Sequence, residues 1–202
     1  MAKLYFKYGA MGSSKSAQAL ITKFNYEERG MKVWMLKPST DTRGDATTVN
    51  SRIGLKADAD LLAPGDSVAE GFQKRADEGK KTDVIIVDEC QFLDPAQIDE
   101  LRDIVDDCDI PVLCFGLRTD FRTRLFPGSA RLFEVADSIT EIKTICDCGK
   151  KATVNARISN GHIVTEGEQV LIGGNDAYLA MCYACWKKRI RKEADQPVKI
   201  SR

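Results

Sequence analysis

A loop near the start of the chain could bind phosphate groups. Residues 9–16 read GAMGSSKS and follow the pattern of Gly, four residues, then Gly-Lys-Ser/Thr, except that Ser14 replaces the usual glycine. In this pattern backbone N–H groups face the phosphates, the lysine reaches the outer phosphates, and the next hydroxyl binds Mg²⁺. Lys15 and Ser16 have those identities at the right distance from Gly9. We therefore predict a nucleotide site; the alternative is a turn of small residues with a solvated lysine.

Two adjacent acids end an apolar stretch in the middle of the chain. The stretch VIIVDE, residues 84–89, is typical of a buried parallel strand, and its tip carries Asp88 and Glu89. A carboxylate at such a tip holds Mg²⁺ in proteins with a phosphate loop. We predict that Asp88 serves the metal and that Glu89 is the general base for an attacking hydroxyl. A solvated strand end is the alternative, and the earlier Lys15-Ser16 pair argues against it.

Four of the seven cysteines form two close pairs near the C-terminus, namely Cys146, Cys148, Cys182 and Cys185. Four thiolates suit a closed tetrahedral Zn²⁺ site, and metal binding is coupled to the folding of a small segment. The one-residue gap in the first pair and the 33 residues between the pairs are less typical spacings. We predict structural zinc, with four free thiols as the alternative. The isolated cysteines are predicted to be buried small hydrophobes: Cys90, Cys108 and Cys114.

The only histidine is His162, which lies in the stretch SNGHI. This stretch predicts a hairpin turn with the histidine in solvent. A single histidine at such a place argues against histidine acid–base catalysis.

An alternation of strands and helices must position these residues. A strand over Leu4–Tyr8, a helix over 13–28 and a strand over 32–38 predict a βαβ unit and a parallel sheet. Residues 39–65 are polar and predict a long loop at the sheet edge. Further strands are predicted over 83–89, 111–117 and 138–142, and further helices over 66–79 and 95–107.

The character of the chain changes near residue 143. Helical periodicity ends there, and short alternating runs such as KATVNARI and EQVLIGG predict small strands. We therefore expect a P-loop ATP-binding domain over residues 1–142, a small zinc-binding domain over 143–186 and a charged, flexible tail over 187–202.

The composition gives no sign of a strong electrostatic partner. Thirty basic and thirty acidic residues cancel, so neither nucleic acid nor a membrane surface is expected as a partner. No apolar run approaches the roughly 18 residues of a membrane span. The start of the chain lacks the layout of a signal peptide, which predicts a cytoplasmic protein.

Six features together resemble the cytosolic, zinc-containing class of thymidine kinases found in animals and many bacteria. They are GAMGSSKS, KPSTDTR, VDECQF, GLRTDFRTRLF, the paired cysteines and IGGNDAYLAMC, and they cover nearly all of residues 3–186 in the family's order. The resemblance implies a RecA-like α/β P-loop fold with helices flanking a parallel sheet, plus a small zinc-ribbon-like domain that carries a lasso loop. It also implies Mg²⁺-dependent transfer of the γ-phosphoryl group of ATP to the 5′-hydroxyl of thymidine or deoxyuridine, by a homotetramer.

The resemblance also implies a role for each residue that matches a position in one of the family's motifs. Glu89 resembles the general base, and the zinc ligands would be the four paired cysteines. The ATP and Mg²⁺ set would be Gly9, Ala10, Met11, Gly12, Ser13, Ser14, Lys15, Ser16, Asp41, Arg43, Asp88 and Gln91. The nucleoside set would be Met11, Phe92, Leu117, Phe121, Phe126, Ile172, Gly173, Gly174 and Tyr178, of which the last four fall in the lasso. Taken without the resemblance, the aromatic residues at 92, 121 and 126 are better read as core packing.

The chain departs from the family pattern at three places. Ser14 stands for a glycine, Arg118 stands where an acid is more usual, and the first cysteine pair is one residue shorter than in many members. Two other functions stay open from the residues alone. One is a P-loop ATPase or switch protein without a nucleoside substrate, and the other is a zinc-ribbon module that binds nucleic acid through the basic residues of 187–192.

Overall fold

A six-stranded parallel sheet forms the centre of the protein. The computed structural model describes residues 1–40, 47–169 and 178–194. The strands are β1 (Leu4–Tyr8), β2 (Val33–Pro38), β3 (Thr48–Asn50), β4 (Lys56–Asp58), β5 (Asp60–Leu62), β6 (Val84–Val87), β7 (Val112–Gly116), β8 (Ser138–Glu141), β9 (Val154–Ser159), β10 (His162–Ile163) and β11 (Tyr178–Met181). The helices are α1 (Lys15–Glu27), α2 (Val68–Asp77), α3 (Pro95–Cys108), α4 (Pro127–Val135) and α5 (Tyr183–Ala194). The central sheet has the order β5-β2-β6-β7-β1-β8, and all of its pairings are parallel, which confirms the predicted fold class.

The core has two layers, one on each face of this sheet. Successive side chains of a strand point to opposite faces, and β6 feeds both layers. Ile85 and Val87 pack with α2, α3 and α4 on one face, whereas Val84 and Ile86 pack with α1 on the other. All four side chains are fully buried. Burial of one such side chain stabilises the fold by about 1.5–3 kcal/mol, which explains the continuous apolar run.

The predicted loop over residues 39–65 is wrong in part. Strand β5 extends the central sheet, because Leu36 of β2 pairs with Asp60. Strands β3 and β4 form an antiparallel hairpin that buries Val49 against α1. These strands have three residues each and mixed polarity. Their extended conformation therefore depends on the strands they pair with and not on their own residue pattern.

Helix α4 lies in a segment for which the sequence predicted no element. Pro127 occupies its first turn, a position that proline tolerates because the N–H group there has no intrahelical partner. Leu132 buries the inner face of the helix in the core. Ser129 donates a hydrogen bond to the Leu117 carbonyl at 2.6 Å, which fastens α4 to the end of β7.

A second, smaller sheet follows the central one, with the antiparallel order β10-β9-β11. The turn between β9 and β10 contains Asn160 and Gly161, both with positive φ, and His162 is exposed beside it as predicted. Of the run EQVLIGG, the structure describes only Glu168 and Gln169.

Two expectations about the later part of the chain need correction. Residues 187–194 continue helix α5 instead of beginning a tail, and Arg189 donates a hydrogen bond to the Gly161 carbonyl at 2.5 Å. Cys108 is exposed at the last residue of α3 and does not join the buried face of that helix, whereas Cys90 and Cys114 are buried as predicted. Across the described ranges, no helix has the length and apolar character needed to cross a membrane.

Candidate active site and metal centre

The loop over residues 9–16 joins β1 to α1 at the carboxyl edge of the central sheet. Gly9 donates its N–H group to the Gly116 carbonyl at 3.2 Å, which fixes the loop against β7. A Cβ atom at Gly9 would collide with the Ile142 carbonyl oxygen and the Ser13 hydroxyl, so glycine is required there for close approach. The Lys15 ammonium is buried in the loop and donates to the Ala10 carbonyl at 3.0 Å.

Ser14 adopts the conformation that the missing glycine would have adopted. Its φ is 61° and its ψ is 28°, in the left-handed region, and its side chain makes no capping hydrogen bond to α1. A non-glycine residue pays roughly 1–2 kcal/mol for this conformation. The loop therefore keeps its shape at the cost of local strain.

Replacing Ser14 by glycine is expected to stabilise the protein. Relief of strain exceeds the added disorder of the unfolded chain, so we expect a gain of about 0.5–1 kcal/mol. This gain corresponds to a rise of about 1–4 °C in Tm, measurable by thermal and urea denaturation. Ser14→Ala is the matched control, because alanine keeps the strain and removes only the hydroxyl. Equal stability of the glycine and alanine variants would contradict the strain interpretation.

Asp88 follows β6 at the same edge of the sheet and is 4% exposed. Burial, joined by the nearby Glu89 carboxylate, raises the pKa of Asp88 to about 7, against the opposing effects of a hydrogen bond from Ser16 and the charge of Lys15. Oδ1 of Asp88 is buried and has no hydrogen-bond partner in the part of the chain that the structure describes. An oxygen-binding cation such as Mg²⁺ would satisfy this atom and stabilise the ionised carboxylate, so Asp88 and Ser16 fit a magnesium site.

Glu89 is held in an unusual backbone conformation next to Asp88. Its φ is 52° and its ψ is 37°, again in the left-handed region. The Gln91 amide donates to Glu89 Oε2 at 2.6 Å and accepts from the Leu117 N–H group at 2.9 Å. These two hydrogen bonds link the Glu89 carboxylate to the end of β7. Gln91 itself is buried, with 1% of its surface exposed. Strain of this kind concentrates at functional sites.

One cavity of about 390 Å³ collects many of the residues that the sequence singled out. From those sets it is lined by Met11, Gly12, Ser14, Lys15, Ser16, Asp88, Glu89 and Leu117. Sequence reasoning missed Lys37 and Arg52, which also line it. Residues at the carboxyl ends of parallel strands lie at one edge of the sheet. Lys37 is near the carboxyl end of β2, so this rule could have predicted its place in the cavity. Arg52 belongs to the β3–β4 turn, whose place could not be read from the sequence.

The proposed nucleoside residues fall into three groups in space. Met11 and Leu117 line the cavity. Phe92 and Phe126 contact each other edge to face at 5.6 Å between ring centroids. The buried Phe121 ring and Tyr178 form the third group, because the Arg157 guanidinium contacts both rings. Tyr178 begins β11. The described residues do not include Asp41, Arg43, Ile172, Gly173 and Gly174.

Asn155 of β9 connects the small sheet to the phosphate loop. Its side-chain oxygen accepts from the Met11 N–H group at 2.8 Å, and its amide donates to the Thr119 carbonyl at 2.9 Å. Arg118, a departure from the family pattern, lies over the Tyr8 ring at 5.9 Å and donates to the Thr153 carbonyl at 3.4 Å. Both residues therefore join the strand β9 region to the central sheet.

The four paired cysteines converge at one point. Their sulfur atoms all lie within 4.8 Å of one another, and Cys148 Sγ and Cys182 Sγ are 3.7 Å apart. A tetrahedron with Zn–S bonds of about 2.3 Å has edges of about 3.8 Å, so this spacing fits zinc. Backbone N–H groups of Cys148 and Cys182 lower the pKa of Cys146 to about 7, which favours its thiolate form. Hydrogen bonds with Cys148 and Cys182 raise the pKa of Cys185 to about 12, so a cation is needed to ionise all four thiols.

Comparison with known proteins agrees with this set of features. The family model described as "Thymidine kinase" matches residues 2–186. A thymidine kinase of Legionella pneumophila (strain Lens) is 48% identical over 189 residues, which cover 93% of this chain and 90% of that protein. A thymidine kinase of Yersinia pseudotuberculosis serotype I is 45% identical over 194 residues, which cover 95% of this chain and 97% of that protein.

A third relative comes from another organism. A thymidine kinase of Ruegeria pomeroyi is 44% identical over 93% of this chain and 95% of its own length. The family-model match over residues 2–186 includes the central sheet, the small sheet and all four paired cysteines, so it covers the cavity and the metal centre together. The chain belongs to the thymidine kinase family and is a phosphoryl-transferring kinase.

Proposed function

We propose that this kinase transfers the γ-phosphoryl group of ATP to the 5′-hydroxyl of thymidine or deoxyuridine, giving the monophosphate for nucleotide salvage. The observation that carries the proposal is the shared cavity, in which Lys15, Asp88 and Glu89 meet beside the phosphate loop. This set provides a cation for phosphate, a carboxylate for a metal and a base for a hydroxyl. Phosphoryl transfer depends on positioning and charge neutralisation, which such a set can supply.

The phosphate side of the reaction is assigned to the loop and the metal pair. Backbone N–H groups of residues 9–16 and the Lys15 ammonium bind the phosphates of ATP. Ser16 and Asp88 would hold Mg²⁺, which neutralises charge on the phosphate oxygens when it is bound. Asp41 and Arg43 join this set by resemblance alone.

The hydroxyl side of the reaction is assigned to Glu89. Its carboxylate accepts the proton of the nucleoside 5′-hydroxyl as the oxygen attacks the γ-phosphorus, the bond from that phosphorus to the β–γ bridging oxygen breaks, and ADP leaves. In this proposal Gln91 positions the carboxylate by its 2.6 Å hydrogen bond, and its part in binding ATP and Mg²⁺ stays a prediction. The apolar residues assigned to the nucleoside would cover the flat base: Met11, Phe92, Leu117, Phe121 and Phe126. Backbone groups of the lasso would hydrogen-bond the pyrimidine, by resemblance alone: Ile172, Gly173, Gly174 and Tyr178.

A radiolabelled phosphoryl-transfer assay over a nucleoside panel tests the proposal. We expect Mg²⁺-dependent transfer from γ-labelled ATP to thymidine and deoxyuridine, with little transfer to purine nucleosides. The same assay distinguishes this kinase from the alternative, a P-loop ATPase or switch protein. Such a protein would release labelled phosphate at a rate unaffected by thymidine. Purified protein that phosphorylates no pyrimidine deoxynucleoside rules the proposal out.

Zinc binding, assembly and location complete the proposal. The cysteine cluster supports structural Zn²⁺. The proposed boundary near residue 143 separates an ATP-binding domain from a zinc-binding lasso domain.

A homotetramer is proposed from family resemblance, and the exposed Ile21 and Phe24 on α1 offer an apolar surface to another copy. Light scattering of the purified chain measures the number of copies. A cytoplasmic location is proposed from the same resemblance.

A further inference from the structure

Arg157 is a buried cation that donates hydrogen bonds to two separate parts of the small sheet region. It lies on β9 and is 5% exposed. Its Nε donates to the Tyr178 hydroxyl at 3.0 Å, Nη1 donates to the Glu168 carbonyl at 2.9 Å, and Nη2 donates to the Gln169 carbonyl at 3.2 Å. The guanidinium therefore uses all three of its nitrogens, which a lysine ammonium cannot do from one position.

The same guanidinium covers an aromatic ring of the central domain. Its carbon lies 3.8 Å from the centroid of the Phe121 ring and 5.4 Å from that of Tyr178. A cation stacked this closely on a ring face is attracted by the ring's quadrupole, and the planar group limits the positions the ring can adopt. Arg157 therefore determines where the Phe121 ring lies.

The strand register explains why one side chain reaches all of these groups. Arg157 and Tyr178 are direct cross-strand partners in the β9–β11 pairing. Asn155 is two residues earlier, so it points to the same face of β9 and contacts the phosphate loop. This face of the strand thus contacts the phosphate loop through Asn155 and the Phe121 ring through Arg157.

The charge of Arg157 is costly to bury, and none of the carboxylates in the described ranges offsets it directly. Across residues 1–40, 47–169 and 178–194, no ion pair to Arg157 is formed, and Asp120 pairs with Arg122. Asp120 instead accepts from the Gln169 side chain at 3.2 Å, which ties the same region to the Phe121 loop. A stack of apolar residues could fill this volume without a buried charge, so the contacts favour a positioning role over simple stabilisation.

We propose that Arg157 is a positioning residue that sets nucleoside affinity, because it holds Phe121, Tyr178 and the chain at Glu168–Gln169 in one arrangement. The inference rests on the proposed function, in which Phe121 and Tyr178 contact the nucleoside. Arg157 acts through these groups and not on the phosphates.

Steady-state kinetics of Arg157→Lys test this role. Lysine keeps the charge and the stem but loses the planar stack and at least two hydrogen bonds. We expect KM for thymidine to rise on the order of 10–100-fold, with KM for ATP within about twofold and zinc content unchanged. Arg118→Lys is the matched control, because Arg118 also contacts the chain beside β9 but touches neither Phe121 nor Tyr178, and its KM for thymidine should stay within about twofold.

A second variant keeps the test decisive if Arg157→Lys folds poorly. Tyr178→Phe removes the acceptor of Nε and leaves Arg157 in place, and it should raise KM for thymidine several-fold. Where both variants fold, the double variant should cost less than the sum of the single ones, since the two residues act through one contact.

Two results would overturn the inference in distinguishable ways. Wild-type protein that phosphorylates no pyrimidine deoxynucleoside removes both the proposed function and this role. An active wild type whose Arg157→Lys and Tyr178→Phe variants keep the thymidine KM, or lose thymidine and ATP affinity equally, removes this role alone.

Discussion

Glu89→Gln is expected to lower kcat for thymidine phosphorylation by about 10²–10⁴-fold. The amide has the size of the carboxylate but cannot accept the proton of the attacking hydroxyl. The fold should persist, since the backbone of Glu89 already holds its left-handed conformation with a side chain of this length. Binding of ATP and thymidine, measured by calorimetry, should change little.

The kinetic comparison needs a glutamate that shares the setting of Glu89 but not its role. Glu141 ends β8 at the same edge of the central sheet, and its carboxylate pairs with Lys151 at 2.6 Å. Glu141→Gln should therefore keep kcat within about twofold, because it removes only a partly exposed ion pair. A Glu89→Gln enzyme with wild-type kcat would show that another group accepts the proton.

Cys182→Ser is the second change for which we expect a large effect. Cys182 is buried in a small apolar cluster with Cys146 and Ala152, and this cluster is too small to hold the region by packing alone. Structural zinc contributes on the order of 10 kcal/mol to the folding of such segments. We therefore expect loss of bound zinc, a fall of about 10 °C or more in Tm and loss of thymidine affinity.

Elemental analysis, thermal denaturation and the kinase assay together check this expectation. Cys108→Ser is the control, because Cys108 is exposed at the end of α3 and lies outside the cysteine cluster. The control should retain one zinc per chain and wild-type stability. If Cys182→Ser kept full zinc and the wild-type Tm, the cluster would not be a structural metal site.

Much of the central fold could be predicted because its signals are local. The strands β1, β2, β6 and β7 are apolar runs that both layers of the core bury. The glycines and Lys15-Ser16 placed the phosphate loop between β1 and α1. These elements need only short stretches of sequence to be recognised, so the residue pattern alone predicted them.

Other elements depend on contacts with distant parts of the chain. Strand β5 exists because β2 offers it a free edge, and three residues of mixed polarity give no pattern of their own. Residues 187–194 read as a solvated charged run, yet they continue the helix that Cys182 and Cys185 anchor. The roles of Asp41, Arg43, Ile172, Gly173 and Gly174 stay predictions.

The sequence by itself determined the class of fold, the groups available for phosphoryl transfer and the identity of the four thiols. Only the tertiary structure decided how these groups are held: the left-handed conformation of Ser14 and Glu89, the contact of Asn155 with Met11, and the place of Arg157 against Phe121. The reason is the range of the interactions. A motif consists of residues that are close in the sequence and can be recognised there. Met11 and Asn155 are 144 residues apart, and they form their hydrogen bond only when both sheets have folded.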